Sequence, residues 1–485
     1  MKNAAMDETP LYTALKEYAA EDIAHFDVPG HKKRLPLDGS DPFWSEIVKY
    51  DANSTKELDM LSNPGGIIAK AEKLMAQAYG ADEAYMLVNG STFGVQAMIL
   101  AACGPKEKII LPRNIHKSAI NGVILSGSIP IFIEPEIDYD YGIANGLTVE
   151  SVKKVLAEHN DAKALFIVHP TYYGAVSDMS SIIKLCHAHK VAVLVDEAHG
   201  AHFPFYPDFP KGAMALGADM SAVSLHKTGG SLTQSSVLLF NRGLYQSHQV
   251  RTAINLMQTT SASYLLLASL DLARKNLAVQ GRQRFTALMK YIEEAKREIN
   301  SIPGMSVLDR SCINGAGIYD YDETKFVIKV NALGLSGFEA YDMLKNEYNV
   351  QAELAETYVV LAIAAVGDDK KTLDRLVDAL RGISKRFWGK KPAFIVPVAD
   401  FFEKPKAVIP PREAYFSPAK VLPLSEAVGE ISSESIMIYP PGIPLIVPGE
   451  RITEKVVAHY EFYKTQHCVL MSDEERSGFI KVVRE

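Results

Sequence analysis

Residues 222–236 read Ala222-Val-Ser-Leu-His-Lys-Thr-Gly-Gly-Ser-Leu-Thr-Gln-Ser-Ser236. At the centre stands Lys227, among the small and hydroxylated residues Ser224, Thr228, Gly229, Gly230, Ser231 and Thr233, with His226 beside it. Such a run gives a lysine stem little apolar surface to cover, and glycines let backbone approach a ligand closely. Lysine also forms Schiff bases once desolvation or a neighbouring cation lowers its pKa. These features point to Lys227 as the residue that carries pyridoxal 5'-phosphate. A solvated loop lysine is the ordinary alternative, so the surrounding chain has to decide.

Upstream, short apolar runs alternate with helical periodicity. Residues 67–79 form an amphipathic helix stopped by Gly80, a C-cap residue. Residues 84–88 read as a strand, entering Asn89-Gly-Ser-Thr-Phe-Gly94 and then an apolar helix over 95–103. A turn of this kind before a helix N-terminus offers free backbone N–H groups and a favourable dipole to an anion. The cofactor phosphate is therefore assigned to Gly90, Ser91 and Thr92, although Ser or Thr at a helix start often serves only as a cap. Further strands run over 108–111, 129–133, 165–169 and 191–195. This pattern predicts an α/β fold with a parallel sheet covered on both faces. Ligands of such sheets sit beyond the carboxyl ends of the strands. The Gly90 turn, His116, Thr171 and Asp196 all lie just past a strand end. Asp196 supplies the carboxylate that keeps a pyridine nitrogen protonated, and the ring then draws electrons from the substrate Cα. His116 offers a flat face for stacking on that ring.

Downstream, residues 257–264 open a helical stretch to about 300, broken at Ile302-Pro-Gly304. Strands over 325–330 and 359–364, with helices over 338–347 and 371–385, make a small α/β domain. The proline-rich stretch 388–411 reads as a linker. The expected organisation is an N-terminal arm over 1–50, a cofactor-binding large domain over 51–300, a small α/β domain over 301–385, and a linker with a C-terminal α+β domain over 386–485.

The 485 residues are 47% apolar and 22% charged, with a net charge of −7 and no long basic block, which suits a globular enzyme and argues against nucleic acid as the main partner. Four scattered cysteines, Cys103, Cys186, Cys312 and Cys468, form no CxxC pair, and a reducing cytoplasm fits. The first residues lack the apolar segment of a secretory signal, and no apolar run is long enough to span a membrane. Asp196-Glu-Ala-His199 also spells the DEAH box of ATP-driven helicases. That reading requires a GxxxxGK[ST] loop, which the sequence lacks. His187, His189, His199 and His202 have no zinc-ligand spacing, and no metal is expected.

Taken together, these residues carry a resemblance. Residues 222–236 resemble the pyridoxal-phosphate attachment signature of the Orn/Lys/Arg decarboxylase family. The resemblance extends to Pro29-Gly-His-Lys32, Asn89-Gly-Ser-Thr92, Arg113-Asn-Ile-His-Lys-Ser118, Asp196-Glu-Ala-His199, residues 259–264 and Tyr439-Pro-Pro-Gly442. It is similar to the shorter bacterial form. The resemblance implies an aspartate-aminotransferase-like fold (fold type I) and a homodimer or larger homo-oligomer with the active site at the subunit interface. It implies Lys227, Asp196, His116 and His226 as catalytic residues. Gly90, Ser91, Thr92, His199 and Ser224 lie around the cofactor. Thr260 or Ser261 supplies a phosphate contact from the other subunit, and this chain reads Thr259-Thr-Ser-Ala262 where the family often has Ser-Thr-Ser-Pro. Glu353 is the candidate for the basic tail of the substrate. The implied reaction is decarboxylation of a basic amino acid in the cytoplasm: arginine to agmatine for polyamine synthesis, with lysine or ornithine as alternatives. Another fold type I enzyme, such as an aminotransferase, would share Asp196 and Lys227.

Overall fold

The computed structural model describes residues 4–34, 41–397, 405–439, 442–466 and 468–484. The short apolar runs become the strands of a seven-stranded sheet. Its spatial order is Glu83–Leu87, Ser236–Phe240, Met220–Val223, Ala192–Asp196, Ala164–Val168, Lys108–Pro112 and Ile129–Ile133. Lys108–Pro112 pairs in parallel with both Ile129–Ile133 and Ala164–Val168. Ser236–Phe240 departs from the expected parallel pattern and runs antiparallel to both its neighbours. The cause is the connection: between Val223 and Ser236 the chain forms only the single helical turn Leu225–Thr228. A parallel return requires a full crossover, usually a helix.

Two compact units divide the chain. One comprises residues 1–101 and 195–285, the other residues 102–194 and 286–485. The strand Ala192–Asp196 starts in the second unit, where Ala192 N–H donates to Lys163 O, and ends in the first, where Glu197 N–H donates to Ala222 O.

In the first unit, the helix Ile67–Tyr79 buries Ile68, Ala71, Leu74 and Met75 and ends on Gly80 at φ +68°, a backbone region open to glycine. Its apolar face joins Met86, Val88, Val223, Leu225, Val237 and Leu239 in one core. The N-terminal segment belongs to that core, because the helix Pro10–Ala20 buries Leu11, Leu15 and Tyr18 in it. Asp271 and Arg274, both fully buried and paired at 2.8 Å, hold the segment down. Asp271 Oδ2 accepts from the backbone N–H groups of Leu11 and Tyr12, and Arg274 donates to the carbonyls of Met6 and Glu8. The helix expected over 95–103 begins earlier, spanning Gly90–Ala102. Gly94 lies inside it for a packing reason: a Cβ there would sit 3.0 Å from Leu87 Cδ1 and 3.2 Å from Ala222 Cβ.

In the second unit, an antiparallel sheet orders Ser306–Val307, Lys325–Lys329, Val359–Ile363 and Leu354–Ala355. The helices Gly337–Tyr348 and Lys370–Phe387 accompany it, the former opened by a Ser336–Glu339 capping box. The C-terminal part pairs Ala419–Pro423 with Phe479–Val483 and builds a three-stranded sheet from Ile443–Ile446, Ile436–Tyr439 and Val469–Met471. These strands and the helix Glu454–Thr465 share a core of Leu424, Ile436, Ile446, Ile452, Val456 and Ile480. Residues 398–404 of the expected linker, and Pro440 and Pro441 of the Tyr439–Gly442 motif, lie outside the described residues. Among the described residues no helix is long and apolar enough to cross a membrane.

Candidate active site

Lys227 sits on the one-turn helix Leu225–Thr228 that follows the buried strand Met220–Val223. Apolar Val223 and Leu225 anchor this turn in the core and leave Lys227 half-buried. Its Nζ lies 3.0 Å from Nε2 of His199, itself only 3% exposed. The next residue, Thr228, is fixed from the other side: its Oγ1 lies 3.1 Å from Nδ1 of His202, whose ring meets the edges of Phe203 and Phe209. The turn carrying the lysine is therefore held at both the amine and the neighbouring Thr228 hydroxyl.

Asp196 ends the apolar strand Ala192–Asp196 and is 7% exposed. Burial raises its carboxyl above the ordinary range, while the Lys227 charge and the Ala198 N–H pull it down. Oδ1 accepts from Ala198 N–H at 3.1 Å, and among the described residues Oδ2 accepts no hydrogen bond. Ser224 Oγ donates to Ser91 Oγ at 2.8 Å, which brings the lysine turn to the start of the helix Gly90–Ala102. Gly90 has φ +70°, and its N–H donates to Gln234 O at 2.7 Å. Thr92 is exposed in the same first turn. His226 places Nδ1 2.9 Å from the carbonyl of Ser235, so Nδ1 carries the proton. Burial first, and then the Lys227 charge, lower its pKa, which leaves a neutral ring with Nε2 as an acceptor at neutral pH.

The structure thus brings together Gly90, Ser91, Thr92, Asp196, His199, Ser224, His226 and Lys227 in the first unit. Thr260 and Ser261 are exposed in the same unit, between the helices Ser247–Met257 and Tyr264–Asn300. His116 belongs to the second unit, as N-cap of the helix Lys117–Ser126. Its Nδ1 accepts from Ser118 N–H at 3.2 Å, so the other ring nitrogen, Nε2, bears the proton. Gly442, at φ +92°, lies against this ring: a Cβ there would stand 3.2 Å from His116 Cδ2. Glu353 is exposed before the strand Leu354–Ala355. The enclosed carboxyl of that segment is Glu356, which receives the Tyr173 hydroxyl at 3.0 Å and which sequence reading passed over.

Residues 9–372 match the family model for the Orn/Lys/Arg decarboxylase major domain, and residues 398–469 match its C-terminal domain. The chain belongs to the Orn/Lys/Arg decarboxylase family. It is 42% identical over 457 residues to the arginine decarboxylase of Bacillus subtilis strain 168, covering 93% of each chain. It is 41% identical over 471 residues to the arginine decarboxylase of Halalkalibacterium halodurans, again covering 93% of each. The crystal structure of the lysine decarboxylase of Francisella novicida superposes with a TM-score of 0.83 at 20% identity, over 99% of this chain and 82% of that one.

The fold is that of the fold type I pyridoxal-phosphate enzymes, as the resemblance implied, and the Orn/Lys/Arg decarboxylase family uses that cofactor. The residues present fit it. The free Oδ2 of buried Asp196 suits a pyridinium N–H. The amine of Lys227 suits an aldehyde. The Ser91–Ser224 pair at the start of the Gly90–Ala102 helix suits a phosphate, since first-turn N–H groups lack intrahelical acceptors.

Proposed function

We propose that this decarboxylase acts on L-arginine and releases agmatine and carbon dioxide, feeding polyamine synthesis in the cytoplasm as a homodimer or larger homo-oligomer. The observation that carries the substrate is the 42% and 41% identity, over 93% of the chain, to two proteins named arginine decarboxylase. Pyridoxal phosphate supplies an aldehyde that takes up amines and a ring that draws electrons from the bond broken at Cα. Asp196 holds the proton at the ring nitrogen: a cation placed there offsets the burial that otherwise favours the neutral carboxyl. Lys227 would hold the cofactor through its amine, and Nζ needs a proton acceptor and donor at hand whenever it is free. His199 Nε2, at 3.0 Å, takes that proton and returns it, within the reach general acid–base transfer requires. His226, neutral and turned to the Ser235 carbonyl, orients the turn. Ser91, Thr92 and Ser224 would bind the phosphate, His116 would stack on the ring, and Thr260 or Ser261 would complete the phosphate site from the neighbouring subunit.

The test is the release of carbon dioxide and amine from arginine, lysine and ornithine, side by side, with wild type and Lys227→Ala. Arginine is expected to dominate, and the variant is expected to be inactive with all three. Dominance of lysine or ornithine overturns the substrate. Absence of carbon dioxide from a protein that has bound the cofactor overturns the reaction.

A further inference from the structure

The second unit contains a cavity of about 110 Å³, far above the roughly 10–15 Å³ that accommodates one water. Ile143, Ile438, Leu445 and Val456 give it apolar walls, and Arg113, Glu356, Tyr173 and His459 supply polar ones. Two of these polar groups are incompletely used. The side chain of Arg113 is 7% exposed and pairs through Nη2 with Glu450 at 2.8 Å, while its buried Nη1 has no hydrogen-bond partner among the described residues. Among the described residues, Glu356 accepts only from the Tyr173 hydroxyl and the Thr357 backbone N–H, and no cationic side chain pairs with it. Buried donors and carboxyls are ordinarily satisfied. Here an unused donor and an unneutralised carboxyl line the same apolar space.

We propose that this cavity binds a short aliphatic zwitterion, its carboxylate on Arg113 Nη1 and its ammonium or guanidinium on Glu356. This is the chemical class of the basic amino acids, and to that extent the inference rests on the substrate reading above. Methylenes between the two charges occupy the isoleucine, leucine and valine walls. Glu450 already balances Arg113, so an unneutralised Glu356 gives the cavity a need for positive charge. Burial pushes the Glu356 carboxyl up to about 7. A cation bound there lowers that value and expels a proton near neutral pH. Of the other titratable groups around it, Tyr173 and Tyr463 are raised well above the ordinary tyrosine value by burial and Cys468 is raised to about 12. Arg113, Glu134 and His459 complete the polar lining.

The experiment is isothermal titration of the holoenzyme with 5-guanidinopentanoate, which carries both charges but no α-amine and so cannot displace Lys227. It is run at pH 7 in two buffers of different ionisation enthalpy, with wild type, Glu356→Gln and, as a control carboxyl away from the cavity lining, the exposed Glu413→Gln. Wild type and Glu413→Gln are expected to bind with proton release. Glu356→Gln is expected to bind at least about tenfold more weakly, as loss of a charge-assisted contact implies, and to lose the proton release. Circular dichroism and the urea midpoint verify that each variant is folded. Equal affinity and equal proton release in Glu356→Gln overturn the proposal, as does proton release that survives the substitution and therefore comes from another group. Carbon dioxide release from arginine by the same wild-type preparation separates the two readings: its absence sinks the reaction, while its presence with unchanged probe binding sinks only the cavity.

Discussion

At the scale of single residues, the chemistry depends on which side chain stands next to Lys227. The sequence places His226 beside it, yet backbone geometry turns that ring to the Ser235 carbonyl and brings His199, 28 positions earlier, to 3.0 Å from Nζ. His199→Asn is expected to lower kcat by about 10²-fold, the lower range for a lost proton-transfer group, with the urea midpoint nearly unchanged. An equal rate in the variant sinks the assignment. Glu197, next to Asp196, has a structural role: it accepts from Ser221 Oγ and Ala213 N–H, and burial pushes its carboxyl up to about 7 from 4.5. The folded state then binds this proton more tightly than the unfolded chain. The associated stability is fully present below pH 4.5 and is lost as pH rises to about 7, a change of about 3 kcal/mol at 1.36 kcal/mol per unit. Glu197→Gln is expected to shrink the fall in urea midpoint between pH 5 and pH 8, and an undiminished fall in the variant contradicts this. Glu353 and Glu356 mark the limit of reading at this scale. They flank the two-residue strand Leu354–Ala355, and nothing local says which carboxyl turns inward. Arg113 was visible only as a neighbour of His116, because its partner Glu450 lies 337 positions away.

At the scale of elements, legibility followed the local signals. The helix Ile67–Tyr79 announced itself by amphipathic period and by Gly80, and the strand Ala192–Asp196 by five apolar residues before an acid. The reversed direction of Ser236–Phe240 had no signature in its own residues, since the preceding connection decides it. Gly94 resembled a turn residue because a glycine inside a helix usually costs stability, and only the contact with Leu87 and Ala222 explains it. Gly94→Ala is expected to cost about 1–3 kcal/mol, as overpacking at a tight crossing does, read as a lower urea midpoint. It is also expected to weaken cofactor retention, because the same helix presents Ser91. An unshifted midpoint removes the packing argument.

At the scale of the whole chain, apolar content and alternating period were enough for an α/β enzyme, and the long motif around Lys227 for the family. The role of the N-terminal segment was not legible, because Asp271 and Arg274, the residues that secure it, sit within an otherwise ordinary helix. Arg274→Ala leaves a buried carboxylate and two carbonyls without their donor. The expected cost is about 3–5 kcal/mol, typical of breaking a buried pair. Hydrogen exchange should accelerate over Pro10–Ala20 more than over the strand Ser236–Phe240. Uniform acceleration would mean that the pair supports the whole fold rather than this segment.

The interleaving of the two units also affects how the protein is made. A ribosome delivers residues 1–101 first, but the rest of their unit, 195–285, emerges only after the whole of 102–194 has been synthesised. At about 5–20 residues per second, the nascent helix Ile67–Tyr79 and strand Glu83–Leu87 wait roughly 8–30 s with their apolar faces uncovered before Met220–Val223 and Ser236–Phe240 arrive to cover them. The active-site lysine is thus part of the segment that ends this exposed interval, so the turn carrying Lys227 closes the first unit during synthesis as well as holding its chemistry afterwards.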